Sequence, residues 1–245
     1  MGVKLGQKWA VKDGNLLASN QVGSRFFNKE FDFSRASNGT YVDRDGLLKT
    51  AELYNKVTYS EQIQTAYQAT VYNNNTISPN GFQNAALFVE NTALNSHGLQ
   101  QSASIPTNAS PVNYTISCYA KAKERSQIQL AFYADGAAYN SVNFDLISGT
   151  TTGDLSTHTI EDVGGGWYRC SFTSLVTQST GGYNLMRWLI HNGSTSYYTG
   201  DGISGLYMWG LQVVEGTEPL DYQYTNGLQG LPRISFEDGV GHLLL

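Results

Sequence analysis

The residues able to do chemistry in this chain are few and scattered. Its four histidines are His97, His158, His191 and His242, and its two cysteines are Cys118 and Cys170. The cysteine spacing matches no zinc pattern, and each lies inside an apolar alternation, which predicts two buried thiols. The sequence holds no phosphate-cradling Gly-x-x-x-x-Gly-Lys, no Gly-x-Ser-x-Gly elbow, no His-Glu-x-x-His pair and no Cys-x-x-Cys. A glycosidase needs two carboxyl groups ~5–10 Å apart across a cleft. The pairs Asp43/Asp45 and Glu161/Asp162 are near neighbours in turn-rich segments, where Asp serves the turn. No catalytic constellation emerges, so the chain reads as a non-enzyme.

Two leads remain. Asp201 sits in Tyr198-Thr199-Gly200-Asp201-Gly202. Its flanking glycines allow a sharp turn, and its carboxylate would accept local N–H bonds. A structural calcium at Asp201 is the one metal left open, although calcium needs six to eight oxygens. The second lead is aromatic. Sugar sites set flat aromatic faces among a few polar groups. Tyr197 and Tyr198 are adjacent, so in a strand they point to opposite faces and one of them is exposed. Tyr133 and Gln129 share a polar face. Tyr197, Tyr198, Tyr133 and Gln129 are therefore the candidate glycan-binding residues. The competing reading is a Tyr-rich sheet that packs against neighbouring subunits.

The elements that must position these residues are strands. Even positions from Val112 to Ala120 are apolar, and the same period-2 pattern runs through Ile128–Ala134, Val142–Leu146, Tyr168–Phe172 and Tyr207–Val213. Gly, Asn, Asp and Ser bound each run. The pattern predicts an all-β fold, an antiparallel β-sandwich with one wet face on each sheet. One or two helical turns are expected only around Glu61 to Ala66. Three sections follow: 1–53 with short strands at Phe31–Phe33, Thr40–Val42 and Leu47–Thr50; 54–222 with the dense alternation; and 223–245, ending in an apolar His242-Leu243-Leu244-Leu245 that would pair with another part of the chain or another subunit.

Composition narrows the function classes. The chain has 245 residues, a net charge of −5, and only 14 % charged residues, so it lacks the basic surface that phosphate contacts require. No run approaches the ~18 apolar residues of a membrane span. The first residues carry no apolar core of a secretory signal.

Several segments resemble a recurring module of tailed-bacteriophage structural proteins. Phe33-Ser34-Arg35-Ala36-Ser37-Asn38-Gly39-Thr40-Tyr41-Val42-Asp43, followed by Asp45-Gly46-Leu47, is similar to its F-S-R-A-S…T-Y-V…D-G segment. Asn55 to Glu61 (NKVTYSE) resembles its N-L-x-x-Y-S-E opening. VNYTISCYAKAKER (112–125), FDLISGT (144–150), EDVGGGWYRC (161–170) and YTGDGISGLYMWGLQ (198–212) continue the match in order. The stretch from Pro232 to Leu245 also resembles a P-R-I-x-F…L-L-L segment that precedes the jelly roll in such proteins and comes last here.

The resemblance implies a carbohydrate-binding-module-like, concanavalin-type jelly roll with short N- and C-terminal β arms. It implies a head-fibre, tail-fibre or decoration protein of a virion, assembled in the bacterial cytoplasm. The implied partners are itself as a homotrimer, other capsid or tail proteins through the N-terminal segment, and a host or environmental glycan. Its recurrent residues Trp167, Arg169, Asp201 and Trp209 read as architecture. Trp167 and Arg169 share one face, where Trp167 covers a sheet edge and Arg169 satisfies carbonyls or an acid. Trp209-Gly210 marks a bulge or a close backbone approach.

Overall fold

The computed structural model describes residues 3–4, 10–12, 15–18, 20–22, 25–27, 39–42, 48–51, 54–64, 66–102, 108–134, 139–153, 157–178, 184–225, 233–235 and 242–244. The strand expected at Phe31–Phe33 lies outside them. The chain divides into two compact units, Met1–Leu53 with Leu228–Leu245, and Tyr54–Gly227.

The first unit begins with β1 (Val3–Lys4), β2 (Ala10–Lys12), β3 (Asn15–Ala18), β4 (Asn20–Val22), β5 (Arg25–Phe27), β6 (Gly39–Val42) and β7 (Leu48–Ala51). The second contains β8 (Ala69–Thr76), β9 (Ala85–Glu90), β10 (Leu94–Ser102), β11 (Asn108–Ala122), β12 (Gln127–Ala134), β13 (Tyr139–Asp145), β14 (Thr150–Thr152), β15 (His158–Gly164), β16 (Trp167–Gln178), β17 (Asn184–His191), β18 (Tyr197–Thr199) and β19 (Gly205–Glu215). Last come β20 (Arg233–Ser235) and β21 (His242–Leu244) of the first unit. The pairs β2–β3, β4–β5 and β6–β7 are hairpins, and the apolar C-terminal strand β21 pairs with both β1 and β20.

The second unit is an all-β jelly-roll sandwich. Its first sheet has the order β15-β16-β11-β19-β9-β8 and its second β14-β13-β12-β17-β10-β18, with antiparallel pairing throughout. The alternation sets which side chains face inward. Tyr114, Ile116, Cys118 and Ala120 meet Ile128, Leu130 and Phe132, with Val142, Phe144, Cys170 and Phe172 beside them. Phe132 and Phe172 pack edge to face between the sheets, with ring centroids 5.8 Å apart. The Trp188 indole N–H crosses the core to donate to the Ser117 carbonyl at 3.3 Å, so a wholly buried Trp keeps its donor satisfied. Cys118 and Cys170 lie directly opposite on β11 and β16, as free, fully buried thiols that burial pushes above their ordinary titration range.

Two local expectations are corrected. The described residues of the Glu61 to Ala66 segment, 61–64 and 66, form no helix; they belong to an irregular strap across the first sheet, with Ile63 in the core. The inward face of β19 also changes along its length. Leu206 and Met208 point to the core, then Leu211 and Val213 do, instead of Tyr207 and Trp209. The cause is a bulge: Ser117 pairs with Gln212 and Tyr119 with Trp209, so β19 carries one extra residue at Gly210, whose φ is +62°. A Cβ at Gly210 would stand 2.9 Å from the Tyr119 ring.

Beyond the bulge the strap takes over as neighbour of β19. Lys56 N–H donates to the Val213 carbonyl and Leu211 N–H to the Ser60 carbonyl. Asn55, wholly buried, fixes this joint. Its Nδ2 donates to the carbonyls of Leu211 and Gln223, and its Oδ1 accepts from the N–H groups of Val57 and Val213. Ser60 and Thr225 bond to each other through both side chain and backbone, so the two ends of the sandwich unit lie side by side.

An Asn55→Ala variant leaves buried backbone groups unpaired, at about 1–3 kcal/mol each where no water replaces the amide. Urea unfolding of the full chain should show the sandwich transition lowered by at least that amount, and an unchanged midpoint would contradict the clasp.

Candidate functional site

The Asp201 turn is built around another carboxylate that sequence reading did not single out. Glu90, the last residue of β9, has a side chain with no solvent exposure. Arg125 grips it with Nε to Oε2 at 2.9 Å and Nη2 to Oε1 at 2.6 Å. The Tyr198 hydroxyl donates to Oε2 at 2.5 Å, and the Asp201 backbone N–H donates to Oε1 at 2.9 Å. Four donors thus meet one buried anion, the condition for keeping it charged out of water. The Arg125 guanidinium is held more firmly protonated, chiefly by the hydrogen bonds to Glu90. Burial, reinforced by Glu90, raises the Tyr198 phenol well above its ordinary value.

Asp201 itself closes the turn. Its Oδ1 accepts from Ile203 and Ser204 N–H, and its Oδ2 accepts from the Ser204 hydroxyl and, at 3.5 Å, from Arg125. The Ser204 bonds are the main reason that its carboxyl sits well below the usual carboxylate range. Both oxygens face hydrogen-bond donors, a poor setting for a cation. The described residues contain no cluster of three or more His, Cys, Asp or Glu able to hold a metal. The glycines around the turn are forced by contact: a Cβ at Gly200 would lie 2.0 Å from the Asn91 carbonyl oxygen, and one at Gly205 would lie 1.9 Å from that of Phe88.

The four candidate glycan residues do not form one site. Tyr198 is buried, with its ring against His97 at 4.9 Å and its hydroxyl on Glu90, so it offers no face to a ligand. Gln129 is buried in a polar row: its Nε2 donates to Asn143 and its Oε1 accepts from the Ser196 hydroxyl. Tyr133 pairs with Tyr139 and Leu185 in register, and its side chain lies outside the described residues. Tyr197 alone is shown open, at 56 % exposure on the opposite face from Tyr198. Ser196 donates to Gln129, whose register partner Leu189 is fully buried.

That outer face of the second sheet holds two side chains that the sequence reading missed. Tyr67 bridges to Gly98 of β10, and the Arg187 guanidinium lies 5.9 Å from the centre of the Tyr67 ring. The one available signal was Arg187 itself, a lone charge in Leu185-Met186-Arg187-Trp188-Leu189-Ile190.

Trp167, Arg169 and Trp209 gather on the outer face of the first sheet. Trp167 and Trp209 pack with Ala85, flanked by Tyr119, Tyr207 and Tyr222. Trp167 Nε1 donates to the Ile77 carbonyl at 3.2 Å. Arg169 donates to the Leu220 carbonyl and lies 5.5 Å from the centre of the Tyr119 ring. Beside them Glu61 accepts from the Tyr222 hydroxyl at 2.9 Å and from Asn84 Nδ2 at 2.7 Å. Burial is the dominant influence on Glu61 and raises its carboxyl, only partly offset by these donors. An open cleft of about 410 Å³ beside Trp167 is lined by Ile77, Ser78, Pro79, Lys121, Val163, Gly164 and Gly165, with no carboxylate among them.

No protein-family model matches the chain, and no curated protein does. Among solved structures, CBM35 from Cellvibrio japonicus Abf62 is similar at a TM-score of 0.33 and 14 % identity, over 66 % of this chain and 97 % of that one.

Glu61 and Asp201 pull stability in opposite directions with pH. Asp201, with its carboxyl lowered, contributes stability above its ordinary value of 3.8 that is lost as pH falls toward its folded value. Glu61, with its carboxyl raised above 4.5, holds a proton longer in the folded state, so stability falls as pH rises through its folded value. A Glu61→Gln variant should therefore flatten the decline in thermal midpoint above the ordinary carboxyl value of 4.5 and leave the acid limb, which Asp201 shapes, in place. Profiles that run parallel in the two proteins would contradict this assignment.

Proposed function

We propose that this chain is a structural protein of a tailed-bacteriophage particle, a head-fibre, tail-fibre or decoration protein whose jelly roll is displayed for adhesion to host or environmental glycans. The observation that carries the reading is the division of the chain. Both chain ends belong to one unit, while the sandwich leaves and returns at adjacent points held by Asn55, Ser60 and Thr225. Such a chain order suits a sandwich carried as an insertion in an attachment unit. The ordered motifs shared with phage structural proteins support the setting. The residues that carry them are the joints of the sandwich: Asn55 and Ser60 in the clasp, Trp167, Arg169 and Trp209 on the outer cluster, and Asp201 at the Glu90 turn.

In this reading the unit formed by 1–53 and 228–245 binds capsid or tail proteins and further copies of the chain. Among the described residues three of its hairpins pair with no third strand, and a two-stranded hairpin alone is marginal in water. Homotrimers completed by neighbouring copies would supply the missing cover, and weak glycan sites repeated on a particle gain from effective concentration. A second reading, a capsid- or tail-stabilising spacer without ligand, is favoured by the internal commitment of Tyr198 and Gln129. A polysaccharide-degrading module draws no such support from the cleft beside Trp167.

Mass spectrometry of purified particles from a host carrying this gene should find the chain in the virion, with cross-links from residues 1–53 to a capsid or tail protein. Light scattering of the full chain should give a trimer. A monomer that is absent from particles would overturn the proposal. A trimer in particles that binds nothing on an array of charged and neutral glycans would favour the spacer.

A further inference from the structure

We infer that the outer face of the second sheet carries a slot for an anionic saccharide, walled by Tyr67 and Tyr197 and closed at one end by Arg187 and Gln100. The inference rests on the adhesion reading and specifies its ligand class.

The slot follows from register. Positions 96, 98 and 100 of β10 point to one face, and directly paired residues share a face. Ser96 pairs with Tyr197, Gly98 is bridged by Tyr67, and Gln100 pairs with Arg187. The two tyrosines therefore flank positions two residues apart, about 6–7 Å along the strand, a separation on the scale of one sugar ring. The floor between them is small, and at Gly98 it has to be: a Cβ there would stand 2.2 Å from the Trp188 carbonyl oxygen. The Tyr67 hydroxyl is tied to Asn95 Oδ1 at 3.3 Å, which fixes that ring, and Tyr197 is the exposed wall.

The charge requirement comes from Arg187. In the second unit the other two arginines and two of the lysines are engaged: Arg125 with Glu90 and Asp201, Lys123 with Glu124, Arg169 with the Leu220 carbonyl and Lys121 with that of Gly165. Arg187 forms no ion pair among the described residues. It is half-buried over Tyr67, and both its Nε and the facing Gln100 Oε1 are buried without a hydrogen-bond partner. A partly desolvated guanidinium without a counter-ion is costly, and its planar fork matches a carboxylate or phosphate. A sugar bearing either anion would stack on Tyr197 and present its charge to Arg187.

The test is calorimetric titration of the full chain with trigalacturonate, with a mannose-6-phosphate oligosaccharide and with neutral maltotriose. At least one anionic probe should bind about tenfold more tightly than maltotriose, and binding should weaken severalfold when salt is raised from low to about 0.3 M, as for a charge-directed contact. Arg187→Gln should cost the anionic advantage and Arg187→Lys should keep part of it, with thermal midpoints reported for both. The carboxylate and phosphate arms separate the two sources of charge. Salt-independent binding by the unsubstituted protein, or equal binding of maltotriose, overturns the inference even if Arg187→Gln fails to fold. Neutral binding lost in Tyr197→Ala would refute the anionic slot while leaving adhesion standing. No binding of any glycan on a charged and neutral array would remove both.

Discussion

The buried Glu90 carboxylate fixes one end of the sandwich. An ion without solvent exposure persists only where donors surround it, and here they come from three separate parts of the chain: Arg125 after β11, Tyr198 in β18 and the Asp201 backbone. Glu90 thereby joins the first sheet to the edge of the second. Removing one partner of a buried ion pair costs about 3–5 kcal/mol, because the other charge is left uncompensated. The Tyr-Thr-Gly-Asp-Gly segment is best understood as a socket for this anion. Asp201 shapes the turn, Gly200 and Gly205 let backbones pass within contact distance, and Tyr198 supplies a hydroxyl.

That socket also determines what faces outward. With Tyr198 turned in toward Glu90 and His97, its neighbour Tyr197 turns out, beside Ser96 and the Tyr67–Arg187 stack. The outward turn of Tyr197 is thus coupled to a buried electrostatic constraint on the edge of the second sheet. At the other joint, the Gly210 bulge turns Trp209 to the outer cluster and sends the lower half of β19 to pair with the strap, where Asn55 holds it. A charged contact and an amide contact therefore fix two separate parts of one sandwich.

Much of this architecture was legible as alternation. The inward faces of β11, β12, β13 and β16 follow the apolar parity of the sequence, because each packs one face on a dry core. Parity failed at β19, where the bulge shifts the pattern by one residue, and Gly210 alone does not say whether the strand bends or merely approaches another backbone. The helical expectation over Glu61–Ala66 fails because the segment has no strand period; its order comes from contacts with residues about 160 positions away. The site was less legible still. Gln129 and Tyr198 look like surface groups in a linear pattern, and only their partners Asn143, Ser196 and Glu90 reveal that their polar atoms are already engaged. Glu90 and Arg125 are 35 residues apart and carry no motif that joins them.

Hydrogen exchange of Glu90→Gln, read by mass spectrometry on the full chain, tests the dependence of the outer face on the buried anion most directly. The socket predicts faster exchange, by about an order of magnitude or more, confined to peptides covering 91–98 and 196–205, with the β11–β16 pair unchanged. Unaltered protection of Tyr197–Thr199 and of the Asp201 turn would contradict it.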